Sequence, residues 1–364
     1  MPLRSITAAE AVARLHEFDA VIDARSPAEY AEDRLPGALN WPVLDDDERR
    51  VVGTTFVQVS AFEARKLGAA IVARNIAAHL ERAVRGQPPQ WRPLVYCWRG
   101  GQRSGSLGWF LAQIGFRTVQ LQGGYQAFRA VVRAQLETLP QALAYTVLCG
   151  RTGSGKTRLL HALAAQGEQV LDLEALAAHR GSVLGALPGQ PQPSQKAFET
   201  RLWQALRGFD AGRPVYVESE SARIGRLRVP EALLQRLRAH GRCVVVALPP
   251  AERVRLLLRE YAGLADDVEG FCARLEPLVP LRGRAVVQRW QASARAGDWA
   301  GCYAALMAEH YDPLYDRSMR QHYAALPAAP VLEVAAADDA AFAAAAATLD
   351  AACAGIVTAP CHTS

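Results

Sequence analysis

Two stretches of this sequence have the residue types and spacing of anion-binding loops. The first is Cys97-Trp98-Arg99-Gly100-Gly101-Gln102-Arg103, which follows the apolar run Leu94-Val95-Tyr96 and closes on an arginine six positions after the cysteine. A cysteine does chemistry as its thiolate. Gly100 and Gly101 permit a tight curl that turns backbone amides inward, and Arg99 and Arg103 add positive charge. The loop therefore reads as an oxyanion nest with a nucleophile, Cys97, at its base. The second stretch is Gly150-Arg151-Thr152-Gly153-Ser154-Gly155-Lys156-Thr157, which meets every fixed position of the phosphate-loop pattern. Amides from Thr152 to Thr157 would cradle a diphosphate, with Gly150, Gly153, Ser154 and Gly155 shaping the turn. Lys156 would reach the outer phosphate, and the Thr157 hydroxyl is the expected Mg²⁺ contact. One loop offers a thiolate that attacks or carries a group; the other offers a seat for a di- or triphosphate.

These loops need strands that end at them and helices that begin at them. Ala20-Val21-Ile22-Asp23, Leu94-Val95-Tyr96 and Thr118-Val119-Gln120-Leu121 read as buried strands. Ser26-Pro27-Ala28-Glu29 reads as a helix start with a serine N-cap, proline at the first position and glutamate at the third. The spacing predicts helices over 62–84, 104–114 and 125–138. Strands alternating with helices imply a parallel sheet. A second set begins with Tyr145-Thr146-Val147-Leu148-Cys149, running into the phosphate loop, with a helix expected over 158–166. Residues 169–173, 214–218 and 243–247 read as further strands, and 181–194 as a loop. The expected architecture is α/β in two parallel-sheet domains, 1–135 and 136–325, followed by a peripheral alanine-rich tail, 326–364. Asp172 and Glu218 both end apolar runs, so either is a possible carboxylate partner for a cation. Glu218 and Glu220 are offset by two and share a face if the strand continues. Asp23 and Arg25 are expected to brace the cysteine loop from the neighbouring strand, or to form a plain structural ion pair.

At 364 residues the chain has room for two cores. No apolar stretch approaches the ~18 residues of a membrane span, and the first ten residues lack the apolar core of a signal peptide. The seven cysteines, at 97, 149, 243, 272, 302, 353 and 361, are scattered without a C-x-x-C pair. That argues against a disulfide framework or zinc site and points to a reducing, cytoplasmic setting. The formal charge is +5, but 223–295 holds fourteen arginines against seven acids. Such a stretch suits phosphate backbones, or equally a solvated helical face.

The N-terminal region resembles a rhodanese domain. Asp23-Ala24-Arg25-Ser26-Pro27-Ala28-Glu29-Tyr30 and Leu35-Pro36-Gly37-Ala38-Leu39-Asn40 are similar to that family's early signature, and Cys97 to Arg103 falls where its catalytic loop falls. Rhodaneses carry sulfur or selenium on that cysteine. Many have four residues between Cys and Arg; this chain has five, the spacing of rhodanese-like phosphatases. Joined to a phosphate-loop domain, the whole resembles the tRNA 2-selenouridine synthases. The likeness extends to residues 58–69, to 171–182 (Leu171-Asp172-Leu173-Glu174 through His179-Arg180-Gly181-Ser182), to Val217-Glu218-Ser219-Glu220-Ser221 and to His310-Tyr311-Asp312-Pro313.

That resemblance implies exchange of the 2-thio sulfur of a wobble uridine for selenium, through an S-geranyl intermediate, with geranyl diphosphate and selenophosphate as substrates. It implies Cys97 as the catalytic residue, with Trp98, Arg99, Gly100, Gly101, Gln102 and Arg103 around selenophosphate. The phosphate loop would hold the departing diphosphate. The implied partner is tRNA at its anticodon stem-loop, and Mg²⁺ is the expected ion, with no tightly bound cofactor. Three other readings stay open on the residues alone. One is an NTP-dependent tRNA sulfurtransferase or kinase. Another is a rhodanese-like phosphatase with a regulatory phosphate-loop domain. The third is a nucleotide-gated tRNA-binding module without chemistry.

Overall fold

The computed structural model describes residues 3–187 and 189–354. They form two compact units, Met1–Leu136 with Pro193–Gln204, and Glu137–Gln192 with Ala205–Ser364.

The first unit is built on five parallel strands, β1 (Arg4–Ile6), β2 (Ala20–Asp23), β3 (Ala38–Asn40), β4 (Pro93–Tyr96) and β5 (Val119–Leu121), in the order β1-β5-β4-β2-β3. The central strand β4 is buried along its whole length, as a parallel strand covered on both faces must be. Ser26 starts the helix Pro27–Glu32 as its sequence predicts, its N–H donating to the Glu29 carboxylate at 3.2 Å. The helices Ala61–Ala83 and Gln102–Ile114 supply Ile76, Leu107 and Leu111 to a core shared with Ile22, Val95, Trp41 and Trp91. The unit is not contiguous in sequence. Pro193–Gln204, which runs into the helix Gln195–Gly208, joins it through Arg129, which donates to the Thr200 hydroxyl at 3.0 Å and pairs with Glu199. A division at residue 136 alone therefore misses this returning segment, whose partners lie some seventy positions away and leave no local signal.

The second unit carries β6 (Tyr145–Cys149), β7 (Gln169–Leu171), β8 (Val215–Glu218), a short hairpin β9 (Arg223–Ile224) and β10 (Leu227–Arg228), β11 (Arg242–Ala247) and β12 (Val331–Glu333). Its main sheet is parallel, in the order β12-β11-β6-β8-β7. The strand expected over 169–173 stops at Leu171, because the Asp172 carboxylate accepts the Ala175 N–H at 2.8 Å and starts the helix Leu173–Ala177. The described residues of 181–194 lie outside helices and strands, with Ala186 forming a bridge to His179.

The alanine-rich end is not peripheral within the described residues. Strand β12 pairs in parallel with β11, and the helix Asp339–Ala354 packs on the phosphate-loop helix Lys156–Ala165. Phe342, Ala345, Ala346 and Leu349 enter the same buried cluster as Leu159, Leu160 and Leu163. Alanine is the strongest helix former, and its small side chain lets two helices approach closely, so low side-chain complexity here marks a packed helix. Among the described residues no helix is long and apolar enough to cross a membrane.

Candidate functional site

In the first unit, Cys97 follows the central strand and is 3% exposed. Its Sγ accepts a hydrogen bond from the Ser104 hydroxyl at 3.2 Å, which places the sulfur against the first turn of the helix Gln102–Ile114. Gln120 donates to the Ser104 oxygen at 3.0 Å and to the Gly100 carbonyl at 2.9 Å, so β5 fixes both loop and serine. Donors at a helix N-terminus suit an anion held over that sulfur.

The curl of the loop is enforced from outside. Gly100 has φ +67°, and a Cβ there would lie 2.6 Å from the Leu121 carbonyl oxygen. Gly124 has φ +56°, and a Cβ there would overlap the Cys97 carbonyl oxygen. Tyr125 and Gln126 donate their N–H groups to the carbonyls of Cys97 (2.8 Å) and Trp98 (3.1 Å). Gly101, expected to share the special backbone, has φ −95° and open space beside it. Sequence reasoning thus assigned to Gly101 a role that Gly124 performs.

The two loop arginines differ. Arg99 is exposed, touching Gln126 at 3.3 Å, and is free to meet an anion. Arg103 turns away and donates to Glu29 at 2.7 Å. Burial pushes the Glu29 carboxyl up, but Arg103 and the neighbouring donors hold it below its ordinary value. Arg103 therefore ties the loop helix to Pro27–Glu32, which corrects its expected place around the anion. Gln102 is exposed, and Trp98 is half-buried with its ring 5.3 Å from that of Tyr125. Beneath the loop, Arg25 and Asp23 are fully buried and paired at 2.6 Å. The Tyr96 hydroxyl donates to Asp23 at 2.7 Å, and the Arg25 guanidinium lies 4.0 Å from the centre of the Tyr125 ring. The pair thus grips the residue before Cys97 and the residue that clamps its carbonyl, so both expected roles are filled at once.

In the second unit, the phosphate loop leaves β6 and opens the helix Lys156–Ala165. Gly153 (φ +77°) and Gly155 (φ +80°) take backbone conformations that glycine alone adopts freely, and the Phe342 ring fills the space beside Gly155. Ser154 is buried with an unpartnered hydroxyl. Lys156 curls back, donating to the Gly150 carbonyl at 2.8 Å. The loop is anchored to the helix Asp312–His322 at three points. Gly150 N–H donates to the Tyr315 hydroxyl at 2.6 Å, and Arg151 pairs with Asp316 at 2.6 Å. Arg253 joins the Thr152 carbonyl (2.7 Å) to Asp312 (2.6 Å).

A cavity of about 810 Å³ opens beside the loop, lined by Lys156, Thr157, three glutamates and the aromatic residues Tyr261, Tyr311 and Tyr315 among others. Those three are Glu174, Glu218 and Glu220, one carboxylate oxygen from each lying within 4.8 Å of the others, and a fourth glutamate, Glu260, also lines the cavity. Thr157 Oγ1 is 3.5 Å from Glu174 Oε2. Burial pushes Glu174 up to about 10, reinforced by the charges of Glu218 and Glu220. Burial, then the charge of Glu218, pushes Glu220 up to about 8. Glu218 is also raised by burial, against the opposing pull of Lys156 and Thr157. Asp172 is instead committed to its helix cap and to His161, 3.1 Å away. Of the three carboxylates that the sequence offers, Asp172, Glu218 and Glu220, the geometry brings Glu218 and Glu220 to the cavity beside the loop.

The donor set suits a hard divalent cation. All three ligands are carboxylates, Glu218 Oε1 is buried without a hydrogen-bond partner, and Gly181 leaves open the space over Glu174 and Glu220. Mg²⁺ therefore fits the residues present. Glu174, Gly181, Tyr315, Arg253 and Asp312 were not singled out by spacing. Glu174, Gly181 and Asp312 do lie within the segments that carry the resemblance. Of the fourteen arginines in 223–295, Arg253 is buried, and Arg289 and Arg295 pair with Glu309 and Glu269. The stretch is therefore not one uniform basic face.

Comparison with known proteins gives two family matches. Residues 7–131 match the rhodanese-like domain, and residues 143–277 match the tRNA 2-selenouridine synthase AAA domain. Three curated proteins described as tRNA 2-selenouridine synthases align with two thirds or more of this chain. The one from Nitrosomonas europaea is 33% identical over 79% of this chain and 75% of its own length. The one from Hydrogenovibrio crunogenus is 34% identical over 83% and 89%. The one from a Sulfurovum species is 36% identical over 68% and 67%.

Proposed function

The chain belongs to the tRNA 2-selenouridine synthase family, and from that membership we propose that it replaces the 2-thio sulfur of a wobble uridine in tRNA by selenium. The co-substrates in this reading are geranyl diphosphate and selenophosphate, the tRNA is engaged at its anticodon stem-loop, and the setting is the cytoplasm. The observation that carries it is the presence, in one member of this family, of a cysteine nest and a diphosphate seat. The two half-reactions need these in turn.

Sulfur on C2 is a poor leaving group until it is alkylated. In the first half-reaction the thiocarbonyl sulfur attacks C1 of the geranyl group, the C–O bond breaks, diphosphate leaves, and N3 loses its proton. Lys156 and the amides of Thr152 to Thr157 bind and orient that diphosphate. Thr157 and Glu218 would hold Mg²⁺, which would supply charge neutralisation for it. In the second half-reaction the selenium of selenophosphate attacks C2, the C–S bond breaks and geranyl thiol departs; water then cleaves the Se–P bond, releasing phosphate and leaving selenium on C2. Cys97, held by the Ser104 hydroxyl, serves this step, with Arg99 and the loop amides around the selenium donor.

Mass spectrometry of the wobble nucleoside tests the assignment. A 2-thiouridine stem-loop is incubated with the protein, geranyl diphosphate and Mg²⁺, then with selenophosphate. Lys156→Ala is expected to block the geranyl adduct. Cys97→Ser is expected to form the adduct and stop before selenium enters. A wild-type chain that leaves the nucleoside unchanged under all conditions rejects the reading.

A further inference from the structure

The three glutamates beside the phosphate loop come from different places in the chain. Glu174 lies in the helix Leu173–Ala177, Glu218 ends β8, and Glu220 is two residues beyond it. Only tertiary structure brings them within 4.8 Å. Like charges gathered in a low-dielectric pocket repel strongly unless something positive stands among them. Among the described residues, no lysine or arginine forms an ion pair with any of the three. The nearby Lys156 ammonium is engaged by the Gly150 carbonyl at 2.8 Å.

Two further observations point to an occupant. Glu218 is 2% exposed, and its Oε1 has no hydrogen-bond partner. A buried carboxylate oxygen without a donor is costly. Gly181, at φ +68°, faces the cluster, and a Cβ there would stand 3.0 Å from Glu174 Oε1 and 3.3 Å from Glu220 Oε2. The backbone thus leaves room over the carboxylates. Oxygens on opposite sides of a bound Mg²⁺ lie roughly 4 Å apart, so a small contraction of the cluster would seat all three. An all-carboxylate set selects Mg²⁺, Mn²⁺ or Ca²⁺ over zinc, which prefers nitrogen and sulfur.

We propose that Glu174, Glu218 and Glu220 form a divalent-cation site that loads before the diphosphate and independently of it. The diphosphate then enters a cavity already carrying its counter-ion. Without that ion, an incoming polyanion would find Lys156 as the nearest compensating charge. This deepens the proposed function and rests on it for the identity of the diphosphate; cation binding itself does not depend on it. Glu174 and Glu220 become cation ligands, and Gly181 becomes the residue whose missing side chain keeps the site open.

The test is a Mn²⁺ titration of the intact chain, followed by electron paramagnetic resonance of free Mn²⁺, with no diphosphate and no RNA present. About one Mn²⁺ per chain is expected to bind and to be displaced by Mg²⁺. Glu174→Gln and Glu220→Gln should each weaken binding by about tenfold or more, with circular dichroism unchanged. These two variants carry the test if Glu218→Gln does not fold. Lys156→Ala removes a diphosphate contact and should bind Mn²⁺ at least as well as wild type. Mn²⁺ that binds only after inorganic diphosphate is added overturns the proposal, as does wild-type affinity in both Gln variants. A chain that binds Mn²⁺ but never geranylates tRNA keeps the cation site and rejects the synthase reading. Geranylation without diphosphate-independent Mn²⁺ binding does the reverse.

Discussion

Arg253 and Asp312, from two helices of the second unit, are joined by hydrogen bonds of 2.6 and 2.9 Å, and Arg253 also donates twice to the Thr152 carbonyl at 2.7 and 3.0 Å. One guanidinium therefore fixes the back of the phosphate loop to the segment His310-Tyr311-Asp312-Pro313. Asp312→Ala leaves a largely buried cation with a carbonyl but no counter-charge. The expected cost is about 2 kcal/mol, a fall of roughly 5 °C in melting temperature. A raised KM for the diphosphate substrate should accompany it. Calorimetry and steady-state kinetics check both, and an unchanged melting temperature would remove the pair from the account.

Ser104 is the one side chain that donates to Cys97 Sγ among the described residues. Ser104→Ala should slow selenium entry by about tenfold, the loss of one hydrogen bond to a reacting anion, and leave geranyl-adduct formation at its wild-type rate. Single-turnover nucleoside analysis separates the two steps. An equal loss in both would mean that Ser104 acts on folding.

The buried glutamates make stability depend on pH in a definite direction. Glu174 and Glu220 stand at about 10 and about 8 in the folded chain, above their ordinary value of 4.5. A raised folded-state value means that the folded chain binds more protons than the unfolded chain between those limits. Stability is then full below 4.5 and falls as pH rises through 8 toward 10. Melting curves in EDTA should shift downward across that window. Saturating Mg²⁺ should flatten the trend, because a cation replaces the protons. A melting temperature in EDTA that is constant across the window would contradict this.

Phe342 is 1% exposed, and its ring occupies the space where a Cβ of Gly155 would stand. Phe342→Ala should cost about 3–5 kcal/mol and weaken diphosphate binding, because the ring supports the turn that leads into Lys156. Chemical denaturation and calorimetric titration with inorganic diphosphate check this. Wild-type stability would return the alanine-rich end to the peripheral role its composition suggests.

Much of the local structure was legible because it depends on neighbouring residues. The strand–loop–helix around Cys97 and that around Lys156 are each carried by a dozen consecutive residues, where apolar runs, glycines and caps act on their neighbours. The expected pairing of Asp23 with Arg25 spans two positions and holds. The errors fall where partners are distant. Arg103 was assigned to the anion because it sits in the loop, but Glu29 from another helix claims it. Gly101 was assigned the curl that Gly124 enforces across the sheet. Alanine content hid a helix whose buried face is made of Phe342, Ala345, Ala346 and Leu349.

The sequence by itself determined the two anion loops, their order, the parallel α/β architecture and the family, because backbone propensity and short motifs are properties of neighbouring residues. Tertiary structure alone decided that Glu174 joins Glu218 and Glu220 in one site, that Ser104 and Gln120 hold the cysteine, and that β12 completes the second sheet. Those outcomes depend on which strands become neighbours. Strand order follows from the burial of whole faces against one another, a balance over many residues that no short stretch of sequence contains.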